Sequence, residues 1–395
     1  MSTSTARPVF PAPAQSWLEL FFDLAFVAAI VVVSASYSRD YSAGQAAWLI
    51  LVFALIWTTW LMTTLRLQGS RITGVVPRVL IVAQMALVLL MAITADDFLD
   101  NETEPVGLFF GLVLLTALLL NRAVTTPDDP ARLTRSETWR LVVGIAVFLL
   151  TRFVANPAFS VPMWVAALLL VLSTLRGTVV WDASQAKRIT HRFGEFTIIV
   201  LGESFLKLAL VAGEEPMEDL DLYALPLVFA VITAIWWIYF AYVAPVGMAG
   251  RQRTWMLLHL PLHLFIIALA VGLSKLLLPE SEAYQGSAFG LITIPLVGVL
   301  LCLAVLLRIG GGPFARRGPR VLVAGAVAAI CLVILNYLGR SAEFDLAGTA
   351  LLLSIVLLVT IRALGPLRGS SDVSDRSSDH PAGEPAATTG GTVAR

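Results

Sequence analysis

The sequence predicts an all-α polytopic membrane protein, with about twelve transmembrane helices arranged as two parallel six-helix repeats. Three observations lead there. Of the 395 residues 58% are hydrophobic and only 14% charged, whereas a water-soluble chain of this length needs far more polar surface. Apolar runs of about twenty residues, the length that crosses a hydrocarbon core of about 30 Å, recur along the whole chain. Arginines gather in every second connection between those runs.

In chain order the spans are expected at 17–37, 46–66, 76–94, 105–123, 138–156, 161–181, 191–212, 222–243, 254–276, 286–308, 320–338 and 345–364. Each is expected to be helical, because in lipid every backbone polar group must find its partner within its own segment. The connections check the spans one after another. Spans 2 and 3 are joined by a link flanked by Arg66, Arg71 and Arg78, and spans 4 and 5 by one with Arg122, Arg132 and Arg135. Arg176, Lys187, Arg188 and Arg192 lie between spans 6 and 7, and Arg251 and Arg253 between spans 8 and 9. Arg308, Arg316, Arg317 and Arg320 join spans 10 and 11. The intervening links are poor in basic residues. One carries Asp96, Asp97, Asp100, Glu102 and Glu104, another Glu214, Glu215, Glu218 and Asp219. A wrong helix count breaks this alternation somewhere. Since basic residues set orientation, both termini are expected in the cytoplasm.

Residues 1–16 read as a short cytoplasmic segment; with three prolines and one arginine in the first fourteen positions, it lacks the pattern of a cleavable signal peptide. Residues 366–395, rich in Ser, Asp, Pro, Gly and Thr, read as a disordered cytoplasmic tail. Cys302 and Cys331 are single thiols in apolar runs and suggest neither a disulfide framework nor a metal cluster.

The chain carries signs of duplication. At an offset of 176 residues Leu51-Val-Phe-Ala54 falls on Leu227-Val-Phe-Ala230, Trp60 on Trp236 and Glu19 on Glu195. Thr174-Leu-Arg176 at the end of span 6 matches Thr360-Ile-Arg362 at the end of span 12. The repeats are expected at 17–190 and 191–365. Six helices per half keep both halves in one orientation, an arrangement found among transporters whose sites lie near the midplane between halves.

Charge inside the spans is the informative feature, since an Asp, Lys or Arg at a helix centre costs about 2.5–3.5 kcal/mol on insertion scales. Glu19 and Asp23 share one face of the first helix, four residues apart. Glu19 and its repeat mate Glu195 are expected to pair with Arg176, Arg192 or Arg362 as structural clamps at the cytoplasmic ends. Asp23 is deeper and has no repeat mate, because Ile199 occupies the matching position. Glu203 is expected near the midplane, in Leu201-Gly-Glu-Ser204, where Gly202 weakens the helix; Lys207 one turn on offers it a structural ion pair. His259 and His263 share a face of span 9 with Pro261 between them, so that helix too is expected to be interrupted. The expected substrate or ion site is therefore Asp23, Glu203, Ser204, His259 and His263. No residue is assigned to catalysis or metal ligation, since the sequence has no H-E-x-x-H, no G-x-S-x-G and no phosphate-cradling glycine loop.

Two segments carry a family resemblance. "ELFFDLAFVAAI" at Glu19–Ile30 and "RFGEFTIIVLGES" at Arg192–Ser204 resemble the signatures of the bacterial low temperature requirement protein A (LtrA) family, over about residues 15 to 365. The resemblance implies a multi-pass protein of the bacterial cytoplasmic (inner) membrane, from a family named for growth in the cold. Asp23 and Glu203 match that pattern. His191 stands where the family often has Glu, and Glu195 where it often has an apolar residue, so any role of Glu195 belongs to this branch. Phe21-x-Asp23-x-x-Phe26 is also similar to the first-helix signature of a two-repeat endolysosomal potassium-channel family. The link 66–78 lacks the Gly-x-x-x-Asp-Arg pattern of the major facilitator superfamily.

The expected function is a secondary transporter or permease of a small solute or ion, coupled to protons or cations. The alternatives are a cation channel with helices 1 and 7 lining a pore, or a non-transporting membrane protein of stress adaptation. No enzyme activity, cofactor or nucleic-acid partner is expected. The partners are the lipid bilayer and the unidentified solute, with homo-oligomerisation left open.

Overall fold

A computed structural model describes residues 17–39, 42–67, 74–95, 104–126, 132–154, 156–177, 182–214, 216, 220, 222, 224–248, 251–277, 282–338 and 346–365. Every expected span falls on a helix. These are α1 (Trp17–Arg39), α2 (Ala43–Leu67), α3 (Val75–Thr94), α4 (Glu104–Val124), α5 (Arg135–Leu150), α6 (Pro157–Leu172), α7 (Ala183–Glu214), α8 (Ala224–Ile238), α9 (Gln252–Ser274), α10 (Glu282–Gly310), α11 (Gly318–Leu338) and α12 (Leu346–Leu364). No strand occurs among the described residues. Nine of these helices, α1 to α4 and α6 to α10 with their short extensions, are long and apolar enough among the described residues to cross a membrane. α5 has 16 residues, and the apolar described parts of α11 and α12 are shorter still. The chain is thus a multi-pass helical membrane protein. The expected N-terminal segment, the disordered tail and most of the acidic link residues lie outside the described residues, as does all but Gly365 of a second unit, Gly365–Arg395.

Local chemistry sets the boundaries that the hydropathy blurs. α5 opens on a reciprocal cap: the Glu137 amide donates to Thr134 Oγ1 (3.3 Å) and the Thr134 amide to Glu137 Oε2 (2.9 Å). It stops at Leu150 rather than near 156, because Asn156 caps the next helix through the Ala158 amide (2.9 Å) and Pro157 takes its first position. α7 begins eight residues before the expected 191. There Asp182 Oδ1 accepts from the Gln185 amide (2.8 Å) and from the Ser184 hydroxyl (2.7 Å), donors that hold its carboxyl below the usual carboxylate range. At 32 residues α7 is about 48 Å long and overshoots a core of about 30 Å.

Two expected interruptions do not occur. α7 runs unbroken through Gly202 and α9 through Pro261. Glycine costs a helix only about 1 kcal/mol, and a proline inside a membrane helix is tolerated where neighbours hold both sides. The irregularity lies elsewhere: α8 passes into a π-turn at Tyr239–Val243, closed by the Ala244 amide on the Tyr239 carbonyl (2.9 Å). Such bulges re-aim side chains, and here Tyr239 meets α9.

α1, α2, α7 and α9 pack against one another at the centre. α3 to α6 follow in sequence on one side, with α3 against α1; α10, α11 and α12 follow from α9, and α12 returns to α8. Helices approach most closely at Gly272 of α9, where a Cβ would collide with the Leu291 carbonyl of α10, and at Gly298, which receives the Phe265 ring. Outward faces are apolar, including Val79, Val82, Leu169, Ile294 and Leu358, while Asp23, Arg192, Glu203, Lys207 and both span-9 histidines are buried. That inversion is what lipid as solvent selects.

Candidate functional site

The buried polar groups stack in three layers along the α1–α7 contact. α1 and α7 run parallel there in a constant register: Asp23 meets Arg192, and Ser34 meets Glu203, both pairs 169 residues apart. The two contacts are eleven residues apart on each helix, about 16 Å at 1.5 Å per residue.

The first layer is built on one carboxylate oxygen. Asp23 Oδ1 accepts from Arg192 Nη2 (2.8 Å) and from the Trp60 indole N–H of α2 (2.8 Å). Arg192 Nη1 faces Glu195 Oε2 at 3.7 Å and Glu19 Oε2 at 4.0 Å, and the exposed His191 Nδ1 lies 3.1 Å from Glu195 Oε1. Asp23 Oδ2 and Glu195 Oε2 are buried and take part in no hydrogen bond. One guanidinium therefore serves three carboxylates.

The second layer joins α7, α9, α2 and the π-turn, and its donors and acceptors fix the histidine tautomers. The indole N–H of Trp57 donates to His263 Nδ1 (3.2 Å), so that nitrogen is bare and the proton of the neutral ring is on Nε2, which donates to Thr197 Oγ1 (2.9 Å). His259 Nδ1 faces only the Trp255 carbonyl (2.9 Å) and so carries the proton; its Nε2 accepts from the Tyr239 hydroxyl (3.0 Å). The two rings are opposite tautomers with centroids 5.5 Å apart. Phe193 packs on His259 (4.7 Å), Phe196 on His263 (5.1 Å), and Trp60 on Phe196 (4.2 Å). Aromatic rings thus separate this layer from the first.

The third layer is a triangle. Ser34 donates to Glu203 Oε1 (3.0 Å), Lys207 Nζ donates to Ser34 Oγ (2.9 Å), and Lys207 Nζ lies 3.6 Å from Glu203 Oε1. All three side chains are buried, and Glu203 Oε2 takes part in no hydrogen bond.

The expected site residues are therefore not brought to one point. Asp23 belongs to the first layer, His259 and His263 to the second, Glu203 to the third; Ser204 is buried next to Glu203 in α7. The 169-residue register sets Thr197 level with Ala28, the midpoint of α1, and Glu203 about 9 Å further along. Among the expected clamps, Arg192 lies between Glu19 and Glu195 but bonds Asp23 more closely than either. Arg362 is exposed in the last turn of α12, and the Arg176 side chain lies outside the described residues. Sequence reasoning missed Ser34, Trp57, Trp60 as a donor and Thr197. Thr197, one turn after Phe193 on the Arg192 helix, was the most findable, being a hydroxyl inside an apolar run.

Among the described residues no three His, Cys, Asp or Glu side chains gather as a ligand set. What the arrangement offers is proton and charge exchange: two buried acid–base pairs flanking a pair of neutral imidazoles.

The family model for the bacterial low temperature requirement A protein (LtrA) matches residues 14–363. The chain is also similar to the curated "Uncharacterized protein RA0937" of Rhizobium meliloti (strain 1021), with 29% identity over 252 residues. That stretch is 57% of this chain and 58% of the relative, so the match spans somewhat over half of each.

Proposed function

We propose a transport function for this chain, which belongs to the bacterial low temperature requirement A protein (LtrA) family: it is a secondary transporter or permease of a small solute or ion, coupled to protons or cations, in the bacterial cytoplasmic membrane. In this reading it is a carrier and not an enzyme, and both termini face the cytoplasm.

One observation carries the reading: the three-layer polar column through the α1–α7–α9 centre of an otherwise apolar bundle. Buried charge is expensive in lipid, and a buried ion pair stabilises less than apolar packing of the same volume. A bundle needing only cohesion has cheaper means, such as the close glycine contacts between α9 and α10. The packing order supports the duplication that transporters often show. α1 with α2 and α3 is matched by α7 with α8 and α9; α3–α4–α5–α6 is matched by α9–α10–α11–α12; and α2 with α6 by α8 with α12.

A second reading, charge clamps in a stress-adaptation protein without a substrate, draws on the cation beside each buried carboxylate, Arg192 for Asp23 and Lys207 for Glu203. Purified protein on solid-supported membranes separates the two. The assay imposes a proton gradient and screens sodium, potassium, amino acids, sugars and organic acids in turn. Transport predicts a saturable, proton-dependent current for one class. Silence across every class, from protein shown to be folded, retires the transport reading; unitary currents in planar bilayers would replace it with a channel.

A further inference from the structure

We propose that His191, Glu195 and Asp23 form a proton-uptake path that loads the buried Asp23 carboxyl from the aqueous surface at the start of α7. The inference rests on the proton-coupled reading above and gives it a coupling ion and a route.

Three observations point to it. The first is a gradient of exposure along a contact chain. The His191 side chain is 71% exposed, Glu195, one turn on, is 18% exposed, and Asp23 is fully buried. The second is geometry. His191 Nδ1 is 3.1 Å from Glu195 Oε1, while Glu195 Oε2 and Asp23 Oδ1 face the two terminal nitrogens of one guanidinium, Nη1 at 3.7 Å and Nη2 at 2.8 Å. The two carboxylates therefore stand side by side on Arg192. The third is the pair of oxygens left over. Asp23 Oδ2 and Glu195 Oε2 are buried and accept no hydrogen bond, so each keeps its lone pairs free to take a proton.

Charge bookkeeping selects a proton over a metal cation. The charged groups facing Asp23 are Glu19 from its own helix and Arg192 and Glu195 from α7; α2 contributes only the neutral Trp60 donor. The charged residue of α3, Arg78, is exposed. Three carboxylates against one guanidinium leave two surplus negative charges when all are ionised. A metal cation would have to enter within a few ångströms of Arg192, whereas a proton needs no room and is shared readily between adjacent carboxylates. In the transfer, imidazolium His191 gives its Nδ1 proton to Glu195, Glu195 gives one proton to Asp23 Oδ2, and neutral His191 is reprotonated by water. Each step moves one proton and leaves every other bond intact. Imidazole suits the surface station, because its two ring nitrogens can take a proton from water on one side and give one up on the other.

The test is infrared spectroscopy of the protein in lipid, read at the C=O stretch of protonated carboxyl groups. At neutral pH a band sensitive to D2O is expected; it shifts with carbon-13 aspartate and not with carbon-13 glutamate, and it is lost in Asp23→Asn. The labels decide the assignment even if that variant fails to fold. After a downward pH jump, the band should rise at least about tenfold more slowly in His191→Gln and in Glu195→Gln than in wild type. No such band, a band that moves with glutamate label, or unchanged loading in both variants would overturn the path. Its fate separates from that of the transport reading. Normal loading with no solute-driven current would retire transport alone, and a proton-driven current without the aspartate band would retire the path alone.

Discussion

Asp23 holds the most consequential side chain of the first layer, because its Oδ1 satisfies both a guanidinium and an indole. Stripping the acceptor from a buried donor costs about 1–3 kcal/mol. Asp23→Ala leaves both Arg192 Nη2 and the Trp60 indole without their acceptor and should therefore lower the unfolding temperature in detergent clearly. The double variant Asp23→Ala/Arg192→Gln should lose less than the sum of the single losses, and strict additivity would mean that the 2.8 Å contact carries no coupling. In the second layer, Tyr239→Phe keeps the ring and strips the donor from His259 Nε2, a loss of about 1–3 kcal/mol. Nitrogen-15 NMR of the imidazoles should show two neutral rings of opposite tautomer in wild type, and equal tautomers would refute the hydrogen-bond assignment. At this scale the sequence revealed which residues are costly, but not which meet. Asp23, Glu203, His259 and His263 stand out as polar groups in apolar runs, whereas Ser34 and Trp60 become special only through partners 169 and 37 residues away.

At the level of elements, the two helices expected to break are the ones that hold. Gly202 has nothing within 4 Å of where a Cβ would sit, so Gly202→Ala should fit and stabilise α7 by up to about 1 kcal/mol. Current unaffected by that change would confirm that the backbone at Gly202 is no hinge; a stabilised but inactive variant would restore the hinge. Gly272→Ala should do the opposite, forcing α9 from the Leu291 carbonyl of α10 and lowering the unfolding temperature. Helix existence was legible throughout, because lipid demands length and apolarity together. Helix ends were not. Caps such as Thr134 with Glu137, Asn156 with Pro157 and the Asp182 turn act outside the apolar runs on which hydropathy relies. The π-turn at Tyr239 left no mark in the pattern, since Trp236-Trp237 continues the helix up to it.

For the whole molecule, the parallel register of α1 and α7 is the fact that organises the rest. It sets two charged layers on either side of a neutral one. Cysteines placed singly at Arg78 and Arg251, in a background lacking Cys302 and Cys331, should be labelled from the cytoplasmic side alone. Labelling of the two from opposite faces would break the proposed orientation. The matches at an offset of 176 residues and the order in which the helices pack are the two grounds on which the duplication is proposed. The relative depth of the charges was not legible, because it depends on how far α7 slides along α1.

The central claim is that the buried charges are machinery rather than clamps, and Glu203→Gln addresses it most directly. Gln keeps the shape of Glu and an oxygen for the Ser34 and Lys207 donors, yet cannot ionise. Current on solid-supported membranes and unfolding temperature would be measured on the same preparation of wild type and variant. The account predicts that the proton-dependent current is lost while the unfolding temperature stays within a few degrees of wild type. A variant that carries full current, or one whose current falls only in proportion to lost folded protein, would contradict it.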